Sequence, residues 1–382
     1  MKFKYGPIIE FIDFGFIKNS HQPDKPFICI SRRFVYKARK KSLTVFLLVV
    51  LMSIVVSLPT ANSAGGAVQT GPLPPFAEPR QWSWSIHWEN DLFGDTDQYY
   101  TNGLSISLSQ IGPCWMDPLA DLLPWDQGRR SVGYDMTQVM ITPKDTARRV
   151  PDPADRPYAG ILSFGLTLHV ERSNSYHGLK FLTGIVGPWS FAGETQGEVH
   201  RLVGGERSPG WDYQLENEPI LNLAYEYRYR SRLAGRENGW AIEVIPSASG
   251  GLGNAFTGGQ IGGLLRVGYN IPHDFGPTLV RGMGNLPPPY RVDNLKSNSS
   301  WGFSIYISNF FGLVLRDITL DGNTFTDSPR VDKNLFVPTA EIGMTIGNRR
   351  FQTSFTYVFW GEEFKGQREY SKFGAITFIY FF

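Results

Sequence analysis

Beyond residue 80 the sequence alternates between apolar and polar residues with a period of two, and the pattern recurs up to the last residue. Such alternation predicts β-strands with two different faces, because successive side chains of a strand point to opposite sides. The first two segments have apolar residues at Trp82, Trp84, Ile86 and Trp88, and at Leu104, Ile106 and Leu108. Ten further candidates are 131–141, 158–172, 177–187, 218–231, 239–250, 258–271, 300–313, 335–347, 350–362 and 371–382. We therefore expect an all-β protein of about twelve strands.

The alternation alone also fits a soluble sandwich or a lipocalin-like barrel. Two features favour a lipid environment. Aromatic residues gather near strand ends, as in 225–229 and at Phe310 and Phe311, where the aromatic girdles of a membrane barrel lie. The last strand carries aromatic residues on one face and ends on Phe382, which resembles the signal by which the barrel-assembly machinery recognises outer-membrane barrels.

Strands of about ten residues match the ~9–11 residues that a tilted strand needs to cross a bilayer. An open sheet edge in hydrocarbon would leave amides unpaired at a cost of several kcal/mol each, so the sheet must close. The sequence therefore predicts a closed antiparallel transmembrane β-barrel over residues 81–382, in the outer membrane of a Gram-negative cell.

Three segments interrupt the alternation. Residues 188–217 have the wrong period for a strand, and Thr195 is a candidate cap of a short helix with Val199, Leu202 and Val203 on one face. Residues 143–157 and the Pro-rich residues 272–298 are expected to form long loops at the barrel mouth.

The N-terminal region has the pattern of a secretory signal. An apolar stretch over 43–58 is shorter than the ~20 residues of a transmembrane helix; basic residues precede it over 37–41 and small residues follow it over 60–64. We expect translation to start near Val35, cleavage to remove residues 1–64, and 65–80 to form a linker. The alternative is an uncleaved anchor.

Cleavage there would change the charge balance. The chain has 37 Lys+Arg and 35 Asp+Glu, and residues 1–64 contain 10 and 3 of these, which leaves 27 and 32, a net charge of −5. No basic patch then indicates nucleic-acid binding. Cys114 would be the one cysteine left, so no intrachain disulfide is expected.

Polar clusters at the predicted strand ends are the candidates for chemistry. They are Glu89-Asn90-Asp91, Tyr100-Thr101-Asn102-Gly103, and His200 with Glu206. Asp91 and Glu206 offer hard oxygen ligands that suit calcium, and Thr101 could add a neutral oxygen. A histidine at position 200 could take a proton from water. Together these residues predict ester hydrolysis by activated water, with a cation stabilising the oxyanion.

Simpler interpretations stand beside this one. Asp and Asn at strand ends are usually turn residues, and a lone histidine in a loop is usually structural or solvated. The acidic residues 89–97 lack the glycine and the terminal glutamate of an EF-hand loop. No GxSxG-like turn supports a serine nucleophile. Residues 155–160 are expected to form a turn pinned by an Asp155–Arg156 pair, and Arg148 and Arg149 are either solvated or bound to a lipid phosphate.

Five motifs in a fixed order resemble the lipid A 3′-O-deacylase family of outer-membrane enzymes: WENDLF, YYTNGL, TPKDT, DRPYAG and VHRLVGGERSPGWDYQLENEP. The resemblance implies a twelve-stranded barrel with a site at its outer end, between the wall and a short helix. There, calcium-assisted attack by water releases the 3′-linked acyloxyacyl chain of lipid A. The matching positions are Asn90 to orient water or substrate, Asp91, Glu206 and Thr101 to hold Ca2+, and His200 as the general base, with Arg148 as the family's basic residue after the third strand.

The sequence departs from the family in residues 92–99, which are shorter than the matching loop, and in 272–298, which have no counterpart. Two other functions remain open: a non-enzymatic barrel that serves as a structural element or pore, and an esterase that acts on another membrane lipid.

Overall fold

The computed structural model describes residues 81–94, 99–112, 114–125, 128–172, 174–203, 208–236, 238–280, 301–348 and 350–382. The expected signal peptide, start site and linker lie outside them. The strands are β1 (Gln81–Asn90), β2 (Tyr99–Ile111), β3 (Arg129–Thr142), β4 (Ala159–Glu171), β5 (Ser175–Val186), β6 (Glu218–Tyr229), β7 (Ser231–Gly235), β8 (Trp240–Gly253), β9 (Phe256–Tyr269), β10 (Gly302–Asp317), β11 (Phe336–Gly347), β12 (Phe351–Trp360) and β13 (Ser371–Phe381). The α-helices are α1 (Asp117–Ala120), α2 (Ala192–Val203) and α3 (Ile318–Asp321), and 3-10 helices cover Asp91–Gly94, Pro188–Ser190 and Pro209–Tyr213.

Each strand pairs antiparallel with its neighbours, and β13 pairs with β1, which closes the sheet into a barrel. The short β7 is an extra strand. It pairs with the first part of β8, whereas β6 pairs with the last part of β8, so that β6 and β7 follow one another along the same edge. The result is a twelve-stranded barrel with one added strand, as the alternation predicted.

The barrel carries apolar side chains on its outer face and polar ones inside. On β2, for example, Leu104 and Ile106 are exposed, whereas Ser107 is buried in the lumen. This arrangement, the reverse of that in a soluble barrel, is what a lipid surround requires. Within the described ranges no helix is long and apolar enough to cross a bilayer.

Aromatic side chains form an outer belt at the end of the barrel where β1 begins and β13 ends, which we call the terminal rim. Trp240 packs edge-on against Phe303, with ring centroids 5.5 Å apart, and Trp301 packs against Phe351 at 5.3 Å. Next to them, Tyr380 stacks on Phe382. The belt marks the level at which the barrel meets the membrane interface. Of the predicted girdle residues, 225–229 lie at the end of β6 on this rim, whereas Phe310 and Phe311 lie in the middle of β10, which extends to Asp317.

The opposite end, where β1 ends at Asn90, is called the site rim. Residues 143–157, which connect β3 to β4, form a loop there, as expected. The helix α2 also belongs to this rim, because it lies between the end of β5 and the start of β6.

Residues 271–280, which we call the internal segment, differ from the expectation of a loop at the barrel mouth. They follow β9 at the terminal rim and then run inside the barrel, where Arg266 of β9 donates hydrogen bonds to the carbonyls of Pro272 and Asp274. At their far end the amide of Val280 reaches Glu89, close to the site rim. The buried arginines of the lumen satisfy backbone carbonyls that would otherwise need water, and this explains why a Pro-rich segment can lie there.

Candidate active site

The end of β1 forms a tight turn that carries Asn90 and Asp91. The side-chain oxygen Oδ1 of Asn90 accepts a hydrogen bond from the backbone N–H of Leu92 at 2.8 Å, which caps the 3-10 helix Asp91–Gly94. The turn packs on β13, where Gly374 faces Asn90; a Cβ at that glycine would lie 2.6 Å from the Cβ of Phe93. Asp91 is only 2% exposed, so its carboxylate is held in a protected position at the site rim.

Thr101 lies at an irregularity in the neighbouring strand. The register between β2 and β3 shifts between Tyr100 and Asn102, and Tyr99 adopts a positive φ of 70° just before it. Bulges and left-handed residues of this kind re-aim a side chain and are common beside functional sites. Here the hydroxyl of Thr101 lies 2.7 Å from that of Thr142, the last residue of β3.

The outer wall of β3 is covered by the segment that contains His200. Met140, which points outward from β3, packs in one apolar cluster with Tyr158, Ala192 and Trp211. Two hydrogen bonds, from Gln138 Nε2 to the carbonyl of Ser190 at 2.7 Å and from Trp211 Nε1 to Gln196 Oε1 at 2.6 Å, hold this segment together. Helix α2 therefore lies against the outside of the barrel, at the rim that carries Asp91.

The position of His200 on α2 follows from the helical repeat. Ala192 and Gln196 are buried against the wall, and residues at i, i+4 and i+8 share a face, so His200 continues the same stripe. Its side chain is half-buried, whereas Glu198 and Arg201 on the other face are exposed and pair with each other. The helix begins earlier than expected: Thr195 lies inside it and donates from Oγ1 to the carbonyl of Phe191 at 2.8 Å instead of capping the helix.

Arg156 differs from the expectation of an Asp155–Arg156 pair. Its guanidinium is fully buried and donates to Glu363 Oε2 at 2.7 Å and to Thr319 Oγ1 at 3.1 Å. Asp155 accepts from the backbone N–H of Lys144 at 2.7 Å, and it contacts Arg156 through that residue's backbone N–H at 2.8 Å. The turn is thus structural, as predicted, but Arg156 ties it to helix α3 and to the loop between β12 and β13. Arg148 is exposed and lies 3.3 Å from Asp152.

The structure brings Asn90, Asp91, Thr101 and His200 to the same rim of the barrel, at the ends of β1 and β2 and on the neighbouring helix α2. Glu206 lies outside the described residues, so the predicted ligand pair of Asp91 with Glu206 stays a prediction. In the ranges that the structure describes, no group of three or more His, Cys, Asp or Glu side chains could hold a metal ion. The oxygen groups described at this rim, the buried carboxylate of Asp91 and the paired hydroxyls of Thr101 and Thr142, are the hard oxygens that suit Ca2+.

Two features of this rim were missed in the sequence. Thr142 pairs with Thr101, and the hydroxyl of Tyr100 donates to Glu89 inside the lumen. The sequence does contain the signal for the second feature: Glu89 and Asn90 are consecutive residues of a strand, so their side chains point to opposite sides of the wall.

No curated protein matches the chain in sequence. Among solved structures, LpxR from Salmonella typhimurium superposes with a TM-score of 0.63 at 19% identity, covering 78% of this chain and all of the other. The β domain of the Bordetella autotransporter BrkA covers 79% of this chain and 98% of its own at 11% identity and a TM-score of 0.38. The porin KdgM covers 78% and 98% at 7% identity and a TM-score of 0.33.

The superposition with the Salmonella barrel shows a common fold. The sequence adds the family: a family model described as outer membrane protein LpxR matches residues 46–382, and this chain belongs to that family.

Proposed function

We propose that this outer membrane protein is a hydrolase that removes the 3′-linked acyloxyacyl chain from lipid A. The observation that carries the proposal is the arrangement at the site rim, where the half-buried His200 lies on α2 against the outer wall and the buried Asp91 lies at the end of β1. A substrate that resides in the outer leaflet can reach a site on the outer wall without passing through the barrel. The site rim would then face the outside of the cell.

In this mechanism His200 accepts a proton from the attacking water, and a general base of this kind contributes about 10²–10⁴-fold to a rate. Asn90 holds its turn through Oδ1, so its amide nitrogen Nδ2 is the group that would donate a hydrogen bond to the water or to the substrate. The covering of the wall by α2 excludes bulk water from one side, which strengthens electrostatic interactions at the site.

Asp91, Thr101 and Glu206 are the residues that would hold a calcium ion. When bound, the ion would stabilise the negative charge that develops on the ester oxygen. The buried carboxylate of Asp91 supports this assignment, since a protected carboxylate at a strand end offers a strong hard ligand.

The direct test is mass spectrometry of lipid A from a host that expresses the protein. When the host expresses the wild-type protein, we expect the mass of its lipid A to fall by the mass of the acyloxyacyl group. Lipid A of unchanged mass would overturn the proposed function. Phospholipids from the same cells should keep their acyl chains; their hydrolysis would indicate instead the esterase that acts on another membrane lipid.

The Asp91→Asn variant is expected to raise the calcium concentration needed for half-maximal activity by at least about tenfold, because the site loses one negative charge. Activity is measured in detergent across a calcium titration after chelation. The control is Asp327→Asn, which alters an exposed carboxylate paired with Arg330. Identical calcium curves for Asp91→Asn and wild type would exclude Asp91 as a ligand.

A pore is the second candidate, and the described lumen argues against it. Residues 271–280 occupy the interior, and buried ion pairs such as Lys180–Asp135 line its wall. We expect the purified protein to show no steady conductance in a planar bilayer, since a filled barrel offers no continuous water path. Stable open-channel steps from the wild-type protein would favour the pore.

We further propose that the aromatic last strand, ending on Phe382, is recognised by the barrel-assembly machinery. Its outward-facing Phe378, Tyr380 and Phe382 form the kind of terminal face that the sequence predicted.

A further inference from the structure

Glu89 lies inside the lumen, one residue before the proposed site, and is fully buried. Both of its carboxylate oxygens accept hydrogen bonds. Oε2 accepts from the hydroxyl of Tyr100 at 2.5 Å, and Oε1 accepts from the backbone N–H of Val280 at 2.5 Å. The ring nitrogen Nε2 of His87 lies 2.9 Å from Oε1. A buried charge held by this many donors keeps a single position, because each broken bond would leave a polar group unsatisfied.

The wall opposite Glu89 is shaped for this contact. Gly103 is in register with Glu89 across β1 and β2, and a Cβ at Gly103 would lie 2.1 Å from the hydroxyl oxygen of Tyr100 and 3.2 Å from Cγ1 of Val280. The absence of a side chain there is therefore what allows Tyr100 and Val280 to converge on the carboxylate.

The donor from the internal segment is itself fixed. Arg228 donates from Nη1 to the carbonyls of Phe275 and Pro277, and Phe275 packs in an apolar cluster with Tyr176 and Tyr306. Leu279 and Val280 then join the apolar cluster that contains Tyr100. The amide of Val280 is thus held at its position by contacts along the whole length of the segment.

From this geometry we infer that Glu89 is a positioning residue for the proposed hydrolytic site and acts through the wall of the barrel. The Glu89–Tyr100 hydrogen bond joins the residues that directly precede Asn90 and Thr101. It therefore fixes, from the lumen side, the two strand ends that present the proposed site residues on the outer side. This inference rests on the proposed function.

The Glu89→Gln variant tests it. The amide keeps one acceptor oxygen but turns an NH2 group towards donors, so the strand ends should shift. We expect kcat for deacylation to fall by about 10- to 100-fold, the range that follows from small misplacements of reacting groups. The KM should stay within about twofold, because Glu89 faces the lumen and does not touch the substrate. The calcium concentration for half-maximal activity should rise.

The matched control is Glu341→Gln. Glu341 is a second buried lumen carboxylate, which accepts from Ser308 Oγ at 2.6 Å. It lies on β11, three strands away from β1 in the sheet, and makes no hydrogen bond to the ends of β1 and β2 among those described, so its replacement should leave kcat unchanged. Tyr100→Phe removes the hydroxyl that donates to Glu89 and keeps the ring that packs on Phe373. If Glu89→Gln does not fold, kcat and the calcium dependence of Tyr100→Phe test the inference in its place. A folded variant of Glu89 or Tyr100 with wild-type kcat and calcium dependence overturns the inference, as does an equal loss in Glu341→Gln.

Hydrogen exchange separates this inference from the proposed function. The amide of Leu92 bonds to Asn90, and its exchange should accelerate in Glu89→Gln whether or not the protein is an enzyme. If the wild-type protein shows no deacylase activity but the Leu92 amide exchanges faster in Glu89→Gln than in wild type, the proposed function is rejected and the through-wall positioning is kept. Unchanged exchange with an active wild type would reject the positioning alone.

Discussion

Replacement of His200 by alanine is expected to lower the rate of acyl-chain release by about 10²–10⁴-fold, because it removes the group that takes the proton from the attacking water. The KM should change little, since the general base acts in the transition state and not in substrate binding. The measurement is single-turnover release of the acyl chain from purified lipid A in detergent. His200→Gln, which can hydrogen-bond but cannot accept the proton at neutral pH, should show a loss of the same order.

The fold should survive this change. Alanine is the best helix former, and α2 is attached to the wall through Ala192 and Gln196, which the substitution leaves in place. The matched control is His177→Ala on β5 near the terminal rim, where the imidazole stacks on Trp125 with centroids 5.1 Å apart. That variant should keep wild-type activity. Wild-type activity in His200→Ala would show that this imidazole is not the base.

The strands were predictable because each of them must satisfy one rule along its whole length. Leu104 and Ile106 face lipid while Ser105 and Ser107 face the lumen, and no shift of one residue could be tolerated. Closure then followed from the cost of an open edge in hydrocarbon. The added strand β7 was not predicted, since five residues without a buried face carry no periodic signal.

The internal segment was not predictable in the same way. Its Pro and Gly residues are typical of a surface loop, and its burial depends on donors that are distant in sequence, such as Arg228 and Gln352. Nothing in residues 271–280 alone indicates that two strands offer guanidinium groups to their carbonyls. Loop residues take their place from such tertiary contacts, which a local pattern does not contain.

The candidate site lies between these cases. Polar residues at strand ends identified Asn90, Asp91 and Thr101, and the barrel brings these strand ends together because β1, β2 and β3 are adjacent. The position of His200 against the wall could not be predicted locally, because its helix is held there by Trp211, whose indole donates a hydrogen bond to Gln196. The calcium site and the catalytic role of His200 stay predictions.

The second large effect concerns Arg266, whose replacement by methionine is expected to lower the free energy of unfolding by about 3–5 kcal/mol. The guanidinium is 3% exposed and donates to Glu243 Oε2 at 2.8 and 3.0 Å, and it also pairs with Asp274. Methionine fills a similar volume, so the cost arises from two buried carboxylates that lose their shared cation. The carbonyls of Pro272 and Asp274 lose a donor as well.

Denaturant unfolding in detergent, followed by tryptophan fluorescence and by the heat-dependent gel shift of folded barrels, measures the change. Arg232→Met is the matched control, because Arg232 lies 3.4 Å from the other oxygen of the same Glu243 yet is 35% exposed. Its loss should cost no more than about 1 kcal/mol, as surface pairs do. Equal destabilisation by both variants would show that losing any arginine partner of Glu243 has the same cost, and that the burial of Arg266 does not matter.

Neutralising the two carboxylates that pair with Arg266 should restore much of the free energy of unfolding that Arg266→Met loses. In the Arg266→Met background, Glu243→Gln together with Asp274→Asn removes the two negative charges that Arg266 had balanced, and their coupling to Arg266 should appear as a stabilising interaction energy in the mutant cycle. The same series can be followed by conductance, since release of the internal segment from Arg266 should open a water path that the recovered network closes again. Conductance that stays at background in Arg266→Met while stability falls would mean that Arg228 alone holds the internal segment in the lumen.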